Sequence, residues 1–345
     1  MQITDTLLST GASGYVGGQV LRELVRGHPE YAITALVRDA KSAATISQDY
    51  PKIRTVIGDL NDGDLVEKEA SEASVVVHVA SNSHIGSVQA IHRGLQKRQT
   101  PSYWVQISGA SGLAVEELAS PSFKPGEPSD DVWDDLAGVA SIRDLLKAHK
   151  SRAVDNYILD VAKQTPSVKT ALVLPPIIYG KGQGPIKQRS YQIPALAKVA
   201  LERGRAVRVG RGLSRWGNVH VADVARLFTV LAEAGAKGND DSKIWGEDGI
   251  YLTGVGEISW ADISDRVAQA AKDQGLLETT EVEELHQPEA DTVLPYSSVL
   301  FGSNARSNAR RGAELLGWKP TEEGIEAEIP RAVAEEAAAK RQSSL

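Results

Sequence analysis

Continuous apolar runs alternate with amphipathic stretches along the first half of the chain. The apolar runs lie at 6–9, 32–37, 53–57, 75–80, 103–108 and 168–174. Between them, apolar residues recur every three or four positions, which is the spacing of an amphipathic helix. Runs that are apolar throughout are typical of parallel strands buried on both faces. We therefore predict an α/β fold with a Rossmann-type, doubly wound parallel sheet.

Beyond residue 175 this alternation weakens. A turn-rich stretch at 175–182 precedes predicted helices at 193–201, 223–234 and 261–271 and short strands at 206–209 and 250–252. The tail at 315–338 is predicted to be helical with a turn at 317–320. The pattern predicts a Rossmann region at 1–175 and a smaller α+β region at 176–345 that is mainly substrate-binding. A strand or helix of this second region is a candidate to return to the Rossmann sheet.

A segment rich in proline, serine and acidic residues, at about 115–135, interrupts the first region. Because the sheet pattern resumes beyond it, we interpret it as an insertion loop and not as a linker. A loop of this length is often functional, so one interpretation is a lid and the other is a disordered surface insertion. A helical stretch follows at 134–164, with a break predicted near Ser151.

The segment Thr10–Gly18 stands between the first predicted strand and the first predicted helix. Gly11 permits a tight turn, Gly14 lets the backbone approach a pyrophosphate, and Gly17 lets the helix pack closely on the strand. Free N–H groups at the start of the helix then bind phosphate. In this context the three glycines predict a dinucleotide-binding site.

The second predicted strand ends in Arg38 and Asp39. In a dinucleotide fold this position meets the adenosine ribose, where an acid binds a 2′-hydroxyl and an arginine favours a 2′-phosphate. Arg38 comes first and is a good bidentate phosphate ligand, which favours NADP. Asp39 keeps NAD as the alternative.

Polar and small residues follow the other predicted strands. Asp59 would accept a bond from the adenine amine or cap the next helix. Ala80 and Ser81 would line the cofactor, and Ser108 and Ser111 would face the nicotinamide or the substrate. We interpret His78 as a core histidine and assign no chemistry to the remaining two histidines of this part of the chain, at 84 and 92.

Composition narrows the class of protein. The 345 residues include no cysteine, which excludes disulfides and thiolate catalysis, and the net charge of −7 disfavours broad nucleic-acid binding. No apolar run reaches 18 residues, so we predict no membrane span. The first strand is predicted so near Met1 that we expect no signal peptide. We predict a cytoplasmic protein with a small-molecule substrate and no metal site.

Five segments, in order along the chain, resemble the extended short-chain dehydrogenase/reductase superfamily, the NAD-dependent epimerase/dehydratase group. They are Thr10–Gly17, Gly58–Leu60, Pro176–Gly180, Val219–Asp223 and Leu315–Pro320. The resemblance implies a cofactor that lies across the ends of the parallel strands and a homodimer formed by helices after the fourth and fifth strands. The cofactor contacts expected are Gly11, Ser13, Gly14, Tyr15, Val16, Gly17, Arg38, Asp59, Leu60, Ala80, Ser81, Ser108, Pro175 and Ile178.

The family's catalytic Tyr-x-x-x-Lys pair is absent from this sequence. Family spacing would place the pair at Ser151 with Asp155, or at Arg152 with Asn156. A late helix start or a bulge would instead bring in Tyr157, with Lys163 as its basic partner. Catalytic candidates are therefore Ser108, Tyr157 and Lys163.

Sugar-nucleotide members of the family place an arginine shortly before the His-Val turn, where it binds the substrate's phosphates. Here Trp216 holds that position, and Arg215 lies one residue away. Arg189, Arg211 and Arg215 are candidate anion ligands. The substrate-binding candidates are Ser111, Tyr179, Arg189, Arg215 and His220.

These observations support three hypotheses of function. The first is an atypical NADP(H)-dependent oxidoreductase that acts on a carbonyl or alcohol of a small organic metabolite. The second is an NAD-dependent sugar-nucleotide epimerase or dehydratase. The third, motivated by the missing Tyr/Lys pair, is a catalytically silent NADP-binding regulator.

Overall fold

The computed structural model describes residues 6–343, and the terminal residues assigned above to the two regions, 1–5 and 344–345, lie outside it. The strands are β1 (Thr6–Thr10), β2 (Ala32–Val37), β3 (Arg54–Ile57), β4 (Val75–His78), β5 (Ser102–Ile107), β6 (Val132–Asp134), β7 (Val168–Leu174), β8 (Ile177–Tyr179), β9 (Ala206–Val209), β10 (Arg215–His220), β11 (Ile250–Leu252), β12 (Gly256–Ser259), β13 (Val282–Leu285) and β14 (Arg306–Asn308). The helices are α1 (Tyr15–Gly27), α2 (Ala40–Asp49), α3 (Gly63–Glu72), α4 (Ile85–Gln96), α5 (Val115–Ala119), α6 (Val139–Ala148), α7 (Ala153–Gln164), α8 (Gln192–Arg203), α9 (Val221–Ala236), α10 (Trp260–Asp273), α11 (Glu289–Val293), α12 (Ser297–Leu300), α13 (Arg311–Leu316) and α14 (Ile325–Ser343). A short 3₁₀ helix covers Ala110–Ala114.

A seven-stranded parallel sheet forms the centre of the molecule. Its strand order is β11-β7-β5-β4-β1-β2-β3. The order reverses between β1 and β4, whose carboxyl ends are paired in register at Thr10 and His78. Ligands of doubly wound sheets bind in the crevice at this reversal. The predicted Rossmann-type fold is confirmed.

Neighbouring residues of the sheet strands enter two different hydrophobic cores. Leu8 and Val76 pack in the core on one face of the sheet, while Leu7 and Val75 pack in the core on the other face. Successive side chains of a strand point to opposite faces, so a strand covered on both sides must be apolar at every position. This is the physical reason for the continuous apolar runs.

The second region contributes to the Rossmann sheet. β11 pairs in parallel with β7 at the edge of the sheet. Helix α9 packs in the same core as α1, with Phe228 and Val224 beside Leu21 and Leu24. The sheet is therefore built from both halves of the sequence.

The insertion at 115–135 is held against the second region by backbone hydrogen bonds. Gly126 N donates to Gly302 O at 2.7 Å, and Leu213 N donates to Gly126 O at 2.7 Å. Strand β6 at the end of the insertion pairs in parallel with β14. These contacts order the segment, which argues against a disordered insertion, and the lid stays a prediction.

The helical tail predicted at 315–338 is divided into α13 and α14, which are separated at residues 317–324. The helical stretch at 134–164 consists of α6 and α7, separated at residues 149–152, close to the predicted break. The turn-rich stretch at 175–182 includes strand β8, which pairs with β10. Among the described residues, no helix is both long enough and apolar enough to cross a membrane.

Candidate functional site

The reversal of strand order opens into a cavity of about 240 Å³. It lies at the carboxyl ends of β1, β2, β3 and β4. Its lining residues are Thr10, Gly11, Ser13, Gly14, Leu36, Val37, Arg38, Gly58, Asp59, Leu60, Val79, Ala80 and Lys187. Seven of the fourteen expected cofactor contacts are among these lining residues.

The glycine turn at this cavity leaves no room for side chains. Gly11 has a φ of +83°, and a Cβ there would lie 2.7 Å from Ala80 N. A Cβ on Gly17 would overlap Gly11 O. Gly14 caps α1 without a side-chain hydrogen bond, and no acidic residue occupies the first turn. The N-terminal N–H groups of α1 thus provide a site for a phosphate group.

Arg38 and Asp39 have different environments in the structure. Arg38 is exposed, lines the cavity, and has no hydrogen bond or ion pair with any other residue in 6–343. Asp39 instead caps helix α2 and accepts hydrogen bonds from Ser42 N at 2.7 Å and Ser42 Oγ at 2.9 Å. These bonds lower the pKa of Asp39. Arg38 therefore lines the cavity, whereas Asp39 caps helix α2.

Asp59 lines the cavity beside Leu60. Its Oδ1 accepts a hydrogen bond from Asn61 N at 2.7 Å. The next helix, α3, is capped by Asp62, whose side chain accepts from Leu65 N. Of the two alternatives for Asp59, helix capping is therefore excluded, and cofactor contact remains.

The other expected cofactor contacts lie outside the lining of this cavity: Tyr15, Val16, Gly17, Ser81, Ser108, Pro175 and Ile178. The Tyr15 hydroxyl donates to Tyr179 O at 2.9 Å and to Gly180 O. Burial raises the pKa of this hydroxyl well above its usual range. Tyr15 therefore joins α1 to the second region and stays neutral.

Ser108, directly after β5, belongs to a buried polar cluster with Arg152 and Asp155. Arg152 Nη2 donates to Ser108 Oγ at 2.8 Å. Arg152 Nε donates to Asp155 Oδ2 at 2.7 Å, and Nη2 lies 2.6 Å from the same oxygen. The Asp155 side chain is 1% exposed and that of Arg152 is 14% exposed. Burial raises the pKa of Asp155, and the Arg152 guanidinium opposes this shift.

The other two catalytic candidates, Tyr157 and Lys163, have contacts away from Ser108. The Tyr157 hydroxyl is hydrogen-bonded to His92 Nδ1 at 2.9 Å on helix α4. Lys163 lines a surface depression with Arg143 and Lys147. Helix α7 begins at Ala153 without a bulge, so Arg152 is the residue that reaches Ser108.

The side chain of Asn156, four residues after Arg152, is hydrogen-bonded to the backbone. Its Nδ2 donates to Leu146 O at 2.9 Å, His149 O at 3.1 Å and Arg152 O at 3.0 Å. These bonds hold the connection between α6 and α7. Asn156 therefore fixes the start of the helix that carries Arg152.

The candidate histidines have structural partners. His78 is fully buried, with Nδ1 2.6 Å from Thr10 Oγ1, and burial lowers its pKa to about 3. It is the core histidine that the sequence predicts. His220 caps α9 by accepting from Ala222 N at 3.2 Å, and burial lowers its pKa.

Most of the predicted substrate ligands are engaged elsewhere. The Tyr179 hydroxyl donates to Glu323 O at 2.8 Å. Arg189 forms an ion pair with Glu336, and Arg215 Nε lies 2.7 Å from Glu257 Oε1. Arg211 is 3.2 Å from Glu127, and Trp216 is buried. Ser111 lies in the short 3₁₀ helix after Ser108.

Two features of the site escaped the sequence analysis. Lys187 lines the cavity although it lies far along the chain, and no local pattern marks it. Family spacing marks the positions of Arg152 and Asp155 as candidates, but nothing in the sequence predicts that the two side chains contact each other. No cluster of three or more metal-ligating side chains occurs among residues 6–343.

Comparison with known proteins identifies an NAD(P)H-binding segment and a relative over nearly the whole chain. A family model described as NAD(P)H-binding matches residues 11–112. Oxidase ucsJ from Acremonium sp is 32% identical over 344 residues, covering 97% of this chain and 98% of the relative. Uncharacterized protein YLL056C from Saccharomyces cerevisiae is 23% identical and covers 92% of this chain and 95% of the relative.

Solved structures share the fold at low sequence identity. The dTDP-glucose 4,6-dehydratase from Bacillus anthracis, in complex with NAD, has a TM-score of 0.66 at 16% identity, covering 96% of each chain. The UDP-glucose 4-epimerase from Thermotoga maritima has a TM-score of 0.64 at 13% identity, covering 97% of this chain and 99% of the other.

Proposed function

Since this chain belongs to the same family as oxidase ucsJ and contains an NAD(P)H-binding segment, we propose that it is an NADP(H)-dependent oxidoreductase of the extended short-chain dehydrogenase/reductase superfamily. The proposed substrate is a small organic metabolite that carries the reacting carbonyl or alcohol. The observation that supports this proposal best is the glycine-lined cavity, which Arg38 lines without a hydrogen bond or ion pair to any other residue in 6–343. Gly11, Gly14 and the uncapped start of α1 fit a pyrophosphate, and the bound nicotinamide would supply or accept a hydride.

The preference for NADP rests on the separate roles of Arg38 and Asp39. A free guanidinium at the end of β2 binds a 2′-phosphate. An acid that prefers the 2′-hydroxyl of NAD would need to face the cavity, and Asp39 is held by α2 instead. We therefore propose NADP over NAD.

Ser108 and Arg152 are proposed to bind the reacting oxygen. Arg152 donates to Ser108 Oγ, and the Ser108 side chain is also hydrogen-bonded to Asp155. A substrate oxygen would therefore take the place of Asp155 as the acceptor of the serine proton. Arginine does not give up a proton at physiological pH, so Arg152 stabilises negative charge on that oxygen. Ser108 would give its hydroxyl proton to the oxygen and take a replacement proton from water, since Arg152 keeps its own protons.

Asp155 is proposed as a positioning residue. Its Oδ2 accepts from Arg152 and fixes the guanidinium beside Ser108. An ion pair buried to this degree keeps its geometry only while both partners are present. Loss of Asp155 would therefore release Arg152 from Ser108.

A fluorescence titration with NADPH and NADH tests the cofactor assignment. We expect wild-type protein to bind NADPH at least tenfold more tightly than NADH, the size of one charge-assisted contact. Arg38→Ala should abolish this preference by weakening NADPH binding alone. Lys41→Ala is the control, because Lys41 is an exposed cation nearby that does not line the cavity.

Two outcomes would contradict this assignment. Equal binding of NADPH and NADH by wild-type protein would mean that a residue other than Arg38 contacts the ribose, and it would favour NAD. Failure to bind either dinucleotide would reject the oxidoreductase proposal altogether.

A regulator that binds NADP without chemistry is the second candidate, because the Tyr/Lys pair is absent. It predicts tight NADPH binding and no turnover across a broad panel of carbonyl and alcohol substrates. A sugar-nucleotide enzyme is less well supported, since Arg189 and Arg215 are both paired with glutamates.

The cellular location and the oligomeric state stay predictions. We propose a cytoplasmic protein, which cell fractionation tests. We also propose a homodimer, as the family resemblance implies, and light scattering of the purified protein would measure its mass.

A further inference from the structure

Lys187 reaches the cofactor cavity from the second region of the molecule. It belongs to residues 180–191, here called the 180–191 loop, which connects β8 to α8. Lys187 is exposed and lines the cavity together with Gly11, Ser13 and Arg38. Within 6–343, Lys187 has no hydrogen bond or ion pair. The cavity therefore holds a second free cation besides Arg38.

The 180–191 loop is firmly docked on helix α1. Gln183 N donates to the Gln19 side chain at 2.7 Å. Gly184 lies so close to Gly18 that a Cβ on it would be 2.6 Å from Gly18 C. Together with the Tyr15 hydroxyl bonds to β8 and Gly180, these contacts fix the loop at the start of α1.

The loop also holds its own shape around Lys187. Gly182 N donates to Gln188 O at 2.7 Å, and Gln188 Nε2 donates to Gly184 O at 2.8 Å. Lys187 therefore stands on a closed turn whose base is attached to α1. A lysine held in this way loses less freedom on binding an anion than one on a mobile loop.

From these contacts we infer that Lys187 binds a phosphate group of the dinucleotide. The second region would then contribute a residue to the cofactor site. The inference rests on the proposed function. Lys187 lines the same cavity as the glycine turn, where a pyrophosphate fits, and as Arg38, where a 2′-phosphate fits. Lysine serves either group as a compact positive charge.

The test measures NADPH and NADH affinity of Lys187→Ala against wild type. We expect about a tenfold loss of NADPH affinity, typical of one charge-assisted phosphate contact. An equal loss for NADH assigns Lys187 to the pyrophosphate, and a loss confined to NADPH assigns it to the 2′-phosphate. Both results support the inference.

Matched variants separate this role from general effects. Lys181→Ala removes an exposed cation of the same loop that does not line the cavity, and it should bind both dinucleotides as wild type does. Lys187→Arg keeps the positive charge and should retain most of the affinity. Added salt should weaken NADPH binding less in Lys187→Ala than in wild type, because one phosphate contact is already lost.

The inference and the proposed function fail in different ways. Normal NADPH binding by wild type with unchanged affinity in Lys187→Ala overturns the role of Lys187 alone. Equal losses in Lys187→Ala and Lys181→Ala also overturn it, because the effect would then be one of net charge. Absence of NADPH and NADH binding in wild type overturns both.

Discussion

At the scale of single residues, the proposed oxygen-binding part of the site departs from the family pattern. One of the two registers that family spacing allows places Arg152 at the tyrosine position and Asn156 at the lysine position. Arg152 contacts Ser108, while Asn156 is saturated by three carbonyl oxygens. In the proposed site, a permanent cation would therefore stand in place of the family's proton-transferring group and would stabilise charge without changing its own protonation.

This replacement predicts a difference between Arg152 and Tyr157. We expect Arg152→Gln to lower kcat by roughly a hundredfold, the usual effect of removing one donor to a developing oxyanion. Ser108→Ala should have a comparable effect, and NADPH affinity should change little in either variant. Steady-state turnover of an identified substrate, with a parallel NADPH titration, measures both quantities.

Tyr157→Phe is the matched control for these variants. Its hydroxyl contacts His92 and not Ser108, so we expect turnover within about twofold of wild type. A large loss of kcat in Tyr157→Phe, with normal turnover in Arg152→Gln, would show that Tyr157 and not Arg152 acts on the reacting oxygen.

At the scale of elements, helix α1 combines binding and packing. Its N-cap residue, Gly14, lines the cavity, and Gly17 and Gly18 let the helix approach the glycine turn and the 180–191 loop. Its other buried residues enter the core that α9 shares. A change at the start of α1 should therefore affect both cofactor binding and stability.

Two glycines of α1 provide a matched pair for this prediction. A Cβ on Gly17 would overlap Gly11 O, so Gly17→Ala should lower the free energy of unfolding by about 1–3 kcal/mol and weaken NADPH binding. A Cβ on Gly27 meets nothing within 4 Å, so Gly27→Ala should raise the free energy of unfolding by up to about 1 kcal/mol. Urea unfolding measures both; equal effects would contradict the packing argument.

At the scale of the whole molecule, Asp135 joins segments that are distant in sequence. Its Oδ2 accepts from Leu252 N at 2.9 Å, and its Oδ1 accepts from Arg310 N at 2.7 Å and Arg311 N at 2.9 Å. The carboxylate thus ties the end of the insertion to β11 and α13. Burial raises the pKa of Asp135 to about 6, and the backbone hydrogen bonds oppose the shift.

This pKa predicts a pH dependence of stability. The folded protein holds the Asp135 proton more tightly than the unfolded chain, whose carboxyl has its usual value of 3.8. The contribution of Asp135 to the free energy of unfolding is therefore full below about pH 4 and is lost as pH rises through about 6. A shift of this size corresponds to roughly 3 kcal/mol.

Urea unfolding of Asp135→Asn between pH 4 and 7 isolates this contribution. The variant loses one acceptor and should be less stable than wild type by about 1–3 kcal/mol near pH 4, with the gap narrowing toward pH 7. Asp144→Asn, at a side chain that is 79% exposed, is the control and should keep the wild-type profile. A gap that stays constant with pH would contradict the raised pKa.

The local sequence pattern was sufficient to predict the strands of the parallel sheet and a dinucleotide as the ligand. Continuous apolar runs predicted the strands because burial on both faces makes every position apolar. The glycine turn predicted the cofactor cavity because its requirements are set by neighbours within a few residues. The helix break near Ser151 also followed from local sequence, whereas the three-residue strand β8 did not, since it exists only through its pairing with β10.

Tertiary structure decided which of the candidate side chains are free to act. Arg38 and Asp39 are adjacent, yet only the fold assigns one to the cavity and the other to a helix cap. The pairing of Arg189 with Glu336, the contact of Arg152 with Ser108 and the approach of Lys187 to Gly11 join residues far apart in sequence. Hydrogen bonds and ion pairs act over a few ångströms, so their partners are fixed by the folded chain and leave no periodic signal in the sequence.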